Sequence, residues 1–208
     1  VKVLVACEYS GVVRDAFARM GHEAVSCDLL QTESEGQHYK GDVRDILRDG
    51  WDLMIAHPPC TYLTSAGLHW NKRQPSRQAE TEKALAFVYL LLDAPINLIA
   101  LENPVGCIST RIRKPDQTIQ PHDFGEDASK ATCLWLKGLP PLMPTSRKTG
   151  RYVVQGTKFV ERWANQTDSG QNRLPPSASR WKDRSRTYPG IARAMAEQWG
   201  AVAMSEAA

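Results

Sequence analysis

Short apolar runs alternate with helix-spaced segments through the first half of the chain, and this alternation restricts the fold more than any other feature. The apolar runs lie at residues 3–6, 24–27, 52–56 and 97–101. Between them come a helical pattern at 12–20, closed by Gly21, and a longer one from Pro75 to about Leu92. Strands joined by helical crossovers pair in parallel, and such a sheet is covered on both faces. The pattern predicts an α/β fold, a Rossmann-like sheet with helices on both faces. The opening run at 1–5 is too short for a signal peptide and reads as the first strand. A polar loop leads to Lys40, and a short helix follows Gly41-Asp42-Val43 as far as about Arg48. Pro58 stops the strand before it, because proline cannot donate to a central ladder. Residues 61–74 read as a loop.

Beyond Pro104 the pattern weakens. Residues 134–136 read as one more strand, and Pro140, Pro141 and Pro144 mark a boundary. Residues 151–154 and 158–160 suit a hairpin around Gly156, residues 166–181 read as irregular, and 191–199 form a closing helix. The net charge is only +3, but residues 145–187 hold ten Lys/Arg against three Asp/Glu, so that stretch is +7 and the remainder −4. Such a stretch either meets a polyanion or is a solvated loop. It is read as a small, irregular basic appendage at 145–186, a candidate nucleic-acid contact, on a core formed by 1–144 and 187–208. No apolar run approaches the roughly 18 residues of a membrane span, so no membrane partner is expected. The five cysteines are odd in number and form no C-x-x-C pair. That argues against structural zinc and for reduced thiols in a cytoplasm.

In an open parallel sheet, ligands bind outside the carboxyl ends of the strands. Glu8, Asp28, Cys60 and Glu102 each directly follow a predicted strand, and Asp42 sits at another strand end. One crevice would gather all five. A thiolate at Cys60, held by the rigid Pro58-Pro59 turn, is a strong nucleophile. On its own, a cysteine there is more often a small buried hydrophobe. Burial would raise the pKa of Glu102 and let it donate a proton near neutrality; the alternative is a loop cap or an arginine pair. Asp28 and Asp42 suit ligand binding or ordinary capping.

Pro58-Pro59-Cys60 followed by Glu102-Asn103-Pro104 resembles the Pro-Cys and Glu-Asn-Val signatures of the C5-cytosine DNA methyltransferases. The compact chain is similar to the small methyltransferase-like proteins of phages and prophages. The resemblance implies a class I methyltransferase sheet, S-adenosylmethionine as cofactor, and methyl transfer to carbon 5 of cytosine. The acceptor would be DNA, single- or double-stranded, or a free cytosine nucleotide. Cys60 would attack carbon 6, and Glu102 would donate on the N3 side of the ring. Cys7-Glu8-Tyr9-Ser10-Gly11 stands where the family has its Gly-rich turn. Cys7, Glu8, Ser10 and Gly11 are therefore candidate cofactor residues, with a helix N-terminus near Gly11 facing the methionine carboxylate. Asp28 with Leu29 would hold the ribose, Asp42 with Val43 the adenine, and Pro58 would border the cofactor.

Arg111 and Arg113, or alternatively Lys130, would stand in for the family's Gln-x-Arg-x-Arg motif, which holds the cytosine carbonyl oxygen. Residues 61–71 resemble the family's mobile catalytic loop, with His69 and Trp70 placed to stack on nucleotides. Thr187-Tyr188-Pro189-Gly190-Ile191 is similar to the final motif that closes the cofactor pocket. The chain departs from the family at Thr61, where Gln is usual, at Pro104, where Val is usual, and in lacking room for a full recognition domain. Three other readings stay open. One is an adenine-N6 or cytosine-N4 amino-methyltransferase, whose Asp/Asn-Pro-Pro-aromatic motif matches only the two prolines. The others are a non-catalytic nucleic-acid-binding protein and an enzyme acting on free nucleotides.

Overall fold

The computed structural model describes residues 1–68 and 73–207. In chain order its elements are β1 (Lys2–Ala6), α1 (Val12–Arg19), β2 (Glu23–Asp28), β3 (His38–Lys40), β4 (Leu53–Ala56), α2 (Ser65–Leu68) and α3 (Pro75–Leu92). There follow β5 (Leu98–Pro104), α4 (Ile108–Arg111), β6 (Gln117–Ile119), β7 (Thr132–Lys137), β8 (Arg151–Gln155), β9 (Lys158–Arg162), α5 (Arg180–Ser185) and α6 (Pro189–Glu206). His69 and Trp70, expected to stack on nucleotides, lie outside the described residues.

Seven strands form one sheet in the order β3-β2-β1-β4-β5-β7-β6. The strands from β3 to β5 run parallel, and β7 is antiparallel to both its neighbours. The order 3-2-1-4-5 is the doubly wound Rossmann arrangement, with its switch point between β1 and β4. Alternation along each strand divides the core. Val3, Val5, Leu53 and Ile55 cluster with Phe17 of α1 and with Met195 and Trp199 of α6. Leu4, Ala6, Met54 and Ala56 cluster instead with Leu85, Val88 and Leu91 of α3. Trp199 is fully buried and its indole N–H donates to the Pro140 carbonyl, which ties α6 to the proline-rich boundary.

The β4–β5 register decides which side chains meet at the strand ends. Ala56 lies opposite Leu101. The next residues, His57 and Glu102, are therefore neighbours across two parallel strands, and so are Pro58 and Asn103. Glu102 was expected just past a strand end, but β5 continues to Pro104 because its antiparallel partner β7 outlasts β4, pairing Glu102 with Leu134 and Pro104 with Thr132. Asp28 is likewise the last residue of β2, opposite Lys40. The hairpin around Gly156 forms as β8–β9, and the closing helix runs longer than its apolar spacing indicated. β3, β6, α2 and α4 are only three or four residues each, too short to print a period in the sequence.

Gly11 opens α1 at φ 76°, and a Cβ there would fall 2.1 Å from Ser34 Oγ and 2.5 Å from the Arg14 guanidinium. Strained dihedral and clash act together, so Gly11→Ala should cost about 1–3 kcal/mol. The check is a lower urea midpoint at unchanged slope. An unaltered midpoint would mean that the loop carrying Ser34 yields without penalty.

Candidate active site

The turn after β4 is fixed from two sides. The His57 backbone N–H continues the ladder by donating to the Ala6 carbonyl at 2.9 Å. One residue on, the buried Asn103 amide donates to the Pro58 carbonyl at 2.8 Å. Two successive prolines restrict the backbone between these ties. Cys60 therefore emerges, exposed, at a defined place. A pocket there is lined by Cys60, His57 and Glu102 from adjoining strand ends, by Lys130 before β7, and by Arg184 and Arg186 at the end of α5. Cys7 to Ser10 form its wall beyond β1.

Glu102 and His57 face each other, with His57 Nδ1 at 3.1 Å from Glu102 Oε2 and side chains 9% and 13% exposed. Burial alone pushes the Glu102 carboxyl up, as the sequence led one to expect. The structure reverses the net sign. The His57 hydrogen bond, the Lys130 charge and the Thr132 hydroxyl outweigh burial, and the pKa falls below the ordinary carboxylate value. Glu102 is thus ionised at neutral pH in the unliganded protein. Cys60 moves the other way. The protein packed around its sulfur raises the thiol pKa, and the Glu102 charge raises it further, while Lys130 and Arg184 act in the opposite sense. The resting pocket holds a thiol and a carboxylate.

A second cleft opens on the other side of Cys7 and Pro59, which line both. Asp28, Leu29, Gly41, Asp42, Val43, Pro59 and Phe87 bound it. Burial raises the Asp28 carboxyl pKa against the N–H of Leu30, and this oxygen-rich strand end faces apolar Leu29, 72% exposed. Asp42 caps the single turn at Val43–Asp45 through the Arg44 N–H and also pairs with the Arg44 guanidinium at 3.0 Å. Cys7 adopts φ 60°, rare for a residue with a side chain, at the junction of the two clefts. Burial raises its thiol pKa far above the ordinary value, so it is no second thiolate.

Glu8 and Ser10 line the Cys60 pocket rather than the Asp28 cleft. Glu8 is buried, and its carboxylate accepts the N–H groups of Val13 and Arg14 and the Ser10 hydroxyl. The chain's own carboxylate thus fills the N-terminus of α1, where a methionine carboxylate was expected. Gly11 lines neither cleft. Its missing Cβ makes room for Ser34 and Arg14 instead.

Arg111 and Arg113 are not brought to the pocket. Arg111 pairs with Glu82 of α3 at 2.9 Å, and Arg113 with Asp116 at 2.6 Å and the Leu136 carbonyl. Lys130 is the alternative that does line the pocket, its Nζ 3.5 Å from the Arg186 carbonyl. Thr187 borders this pocket rather than the Asp28 cleft. His57, Arg184 and Arg186 were missed. Only the position of His57 at a strand end before Pro58-Pro59-Cys60 could have flagged it.

The basic segment is partly spent on its own architecture. Arg147 pairs with Asp123 and Glu161, Arg151 with Asp168, and Arg173 donates to the Gln166 carbonyl. Trp163 stacks on His122 at 3.9 Å between ring centroids, fastening the hairpin to the core. Farther along, Lys182 and Arg186 pair with Glu33, and the Tyr9 hydroxyl donates to the Lys182 carbonyl, so α5 is strapped across the pocket mouth. Arg184 has no ion-pair partner among the described residues.

No protein-family model matches the sequence, and no curated protein matches it. One solved structure, described provisionally as a DNA modification methyltransferase encoded within an E. coli prophage, aligns at a TM-score of 0.48 and 16% identity. The alignment covers 71% of this chain and 52% of that one, so the chain spans about half its length. Similarity of this degree says nothing about a shared activity.

Because the Glu102 charge raises the Cys60 pKa, Glu102→Gln should lower it and enlarge the thiolate fraction. Iodoacetamide should then alkylate Cys60 several-fold faster in the variant at pH 7–8, where thiolate supply limits the rate. Equal rates in the two proteins would mean that Glu102 does not act on the sulfur.

Proposed function

We propose that the chain is an S-adenosylmethionine-dependent methyltransferase that methylates carbon 5 of cytosine in DNA through a covalent Cys60 adduct. The observation that carries this reading is the pair of clefts meeting at Cys7 and Pro59. One holds nucleophile, carboxyl and cation, and the other pairs carboxylates with apolar walls at the switch point of a doubly wound sheet.

The second cleft suits the adenosine part of the cofactor. Leu29, Val43 and Phe87 would face a flat base, and Asp28 the ribose hydroxyls. When bound, S-adenosylmethionine supplies the methyl group. In the other pocket, the Cys60 thiolate adds to carbon 6 while Glu102 provides the proton at N3. The electron pair displaced from the carbon 5–carbon 6 double bond makes carbon 5 nucleophilic. After methylation a base takes the carbon-5 proton, Cys60 leaves as thiolate, and the N3 proton returns to Glu102. Lys130 is the cation for the cytosine carbonyl oxygen. The amino-methyltransferase alternative has no use for Cys60 and Glu102 in one pocket. Unpaired Arg184 at the rim and Trp181, 53% exposed, favour a polynucleotide over a free nucleotide.

The proton inventory sets the pH dependence. The resting thiol–carboxylate pair and the reactive thiolate–acid pair contain the same number of protons. kcat/KM should therefore be level through neutrality. It falls only below the depressed Glu102 pKa and above the raised Cys60 pKa.

Incubation with S-adenosylmethionine and 5-fluorocytosine DNA should give a denaturation-resistant adduct, because fluorine is not eliminated. Cys60→Ser should abolish the adduct and keep cofactor binding; turnover by that variant would exclude the covalent route. Adduct formation with 5-fluoro-dCMP but not with DNA would move the assignment to free nucleotides. Asp28→Ala should weaken cofactor binding about tenfold or more, the loss of one charged hydrogen bond. Unchanged affinity by calorimetry would remove Asp28 from the site.

A further inference from the structure

His57 is nine-tenths buried, lines the Cys60 pocket, and has one polar partner, Glu102. Its other ring nitrogen, Nε2, is buried with no hydrogen-bond partner among the described residues. In neutral histidine one ring nitrogen carries the proton and the other a lone pair. Nδ1 faces a carboxylate oxygen, which can only accept. The proton therefore sits on Nδ1, and the orphan at Nε2 is a lone pair. In the neutral ring, His57 is thus a donor to Glu102.

We propose that His57 is a positioning residue for Glu102: its Nδ1–H anchors Oε2, fixes the carboxyl plane, and leaves the other oxygen to the substrate base. The β4–β5 register places the imidazole there, one residue past Ala56 and Leu101. Among the described residues, the titratable and charged groups that face Glu102 come from three directions. His57 approaches from the turn after β4, Lys130 with the Thr132 hydroxyl from the start of β7, and Cys60 lies across the pocket. Of these, His57 supplies the largest opposition to burial. Without it, burial would dominate and the carboxyl would hold its proton to higher pH.

The kinetic part of this inference rests on the proposed methyl transfer; the tautomer does not. In protein labelled with 15N-histidine, NMR of wild type should show that neutral His57 carries its proton on Nδ1 and is bare at Nε2. A neutral ring with its proton on Nε2 overturns the inference even if the protein methylates DNA. His57→Ala should lower kcat about 100-fold, the cost of a misplaced reacting group. The acid edge of kcat/KM should move up by about one pH unit or more, because activity is lost as pH falls through the Glu102 pKa, now raised. His57→Asn keeps a side-chain N–H near the Nδ1 position and should recover most of the rate and the wild-type acid edge. Circular dichroism reports folding of both variants. A folded His57→Ala with an unmoved acid edge, or an Asn variant no better than Ala, rejects the positioning role. If no acceptor is methylated by wild type while the Nδ1–H tautomer is found, the methyltransferase reading fails and the His57–Glu102 hydrogen bond stands.

Discussion

The parallel pairing of β4 with β5 brings His57 to Glu102 and Asn103 to the turn that carries Cys60. Ala56 opposite Leu101 leads directly to His57 beside Glu102 and to Pro58 beside Asn103. Neighbouring parallel strands lie about 4.8 Å apart, so side chains at equal height on one face are within hydrogen-bonding reach. A slip of one residue would send Glu102 to the opposite face of the sheet. The carboxyl would then meet α6 or α3 packing rather than Cys60. The apolar alternation of Leu53–Ala56 and of the first half of β5, buried on both faces, holds this register. Core packing and site geometry are therefore one constraint.

The crevice at the switch point follows from the same sheet, but its charges are set by side chains arriving from far along the chain. Glu8 closes the end of α1 from inside, so that helix presents a satisfied terminus instead of bare donors. The positive groups of the pocket come from elsewhere: Lys130 before β7, and Arg184 and Arg186 beyond the hairpin. Arg186 and Lys182 also grip Glu33, which lies in the loop that follows the Asp28 end of β2. One acidic residue thereby couples the strap over the pocket to the loop bordering the other cleft.

The sequence displayed the long strands and the long helices, because four or more apolar residues in a run, or eighteen helical residues from Pro75, leave a readable period. It displayed Cys60 and Glu102 because strand ends in such sheets gather ligands. It did not display β3 or β6, three residues each, whose pairing depends on neighbours and not on propensity. Arg111 and Arg113 resembled an anion-binding motif in spacing alone, yet Glu82 and Asp116 hold their guanidinium groups away from the pocket. The sign of the Glu102 shift was equally hidden. Burial can be inferred from a strand, but the opposing donors come from residues 28 and 30 positions later and from across the sheet. The net charge of 145–187 likewise gave no hint that Arg147, Arg151 and Arg173 fasten the hairpin and the loop after it.

A thiol beside an ionised carboxylate is a guarded nucleophile. An exposed thiolate in a reducing or oxidising milieu reacts with whatever electrophile or oxidant arrives. Here the Glu102 charge holds the proton on Cys60 while the pocket is without a base. In the proposed reaction the proton lost by the Cys60 thiol would pass through Glu102 to the ring nitrogen, so that charge would be cancelled only when a target is in place. Lys130 and Arg184 are then left to favour the thiolate. The same electrostatic coupling that makes Cys60 a poor nucleophile at rest makes it a better one next to the correct base. In the proposed methyl transfer, selectivity for cytosine would not rest only on contacts that grip the ring, since a base unable to take up the proton at that position leaves the sulfur protonated. In the proposed reaction this would link the reactivity of the sulfur to the identity of the base within a single pocket.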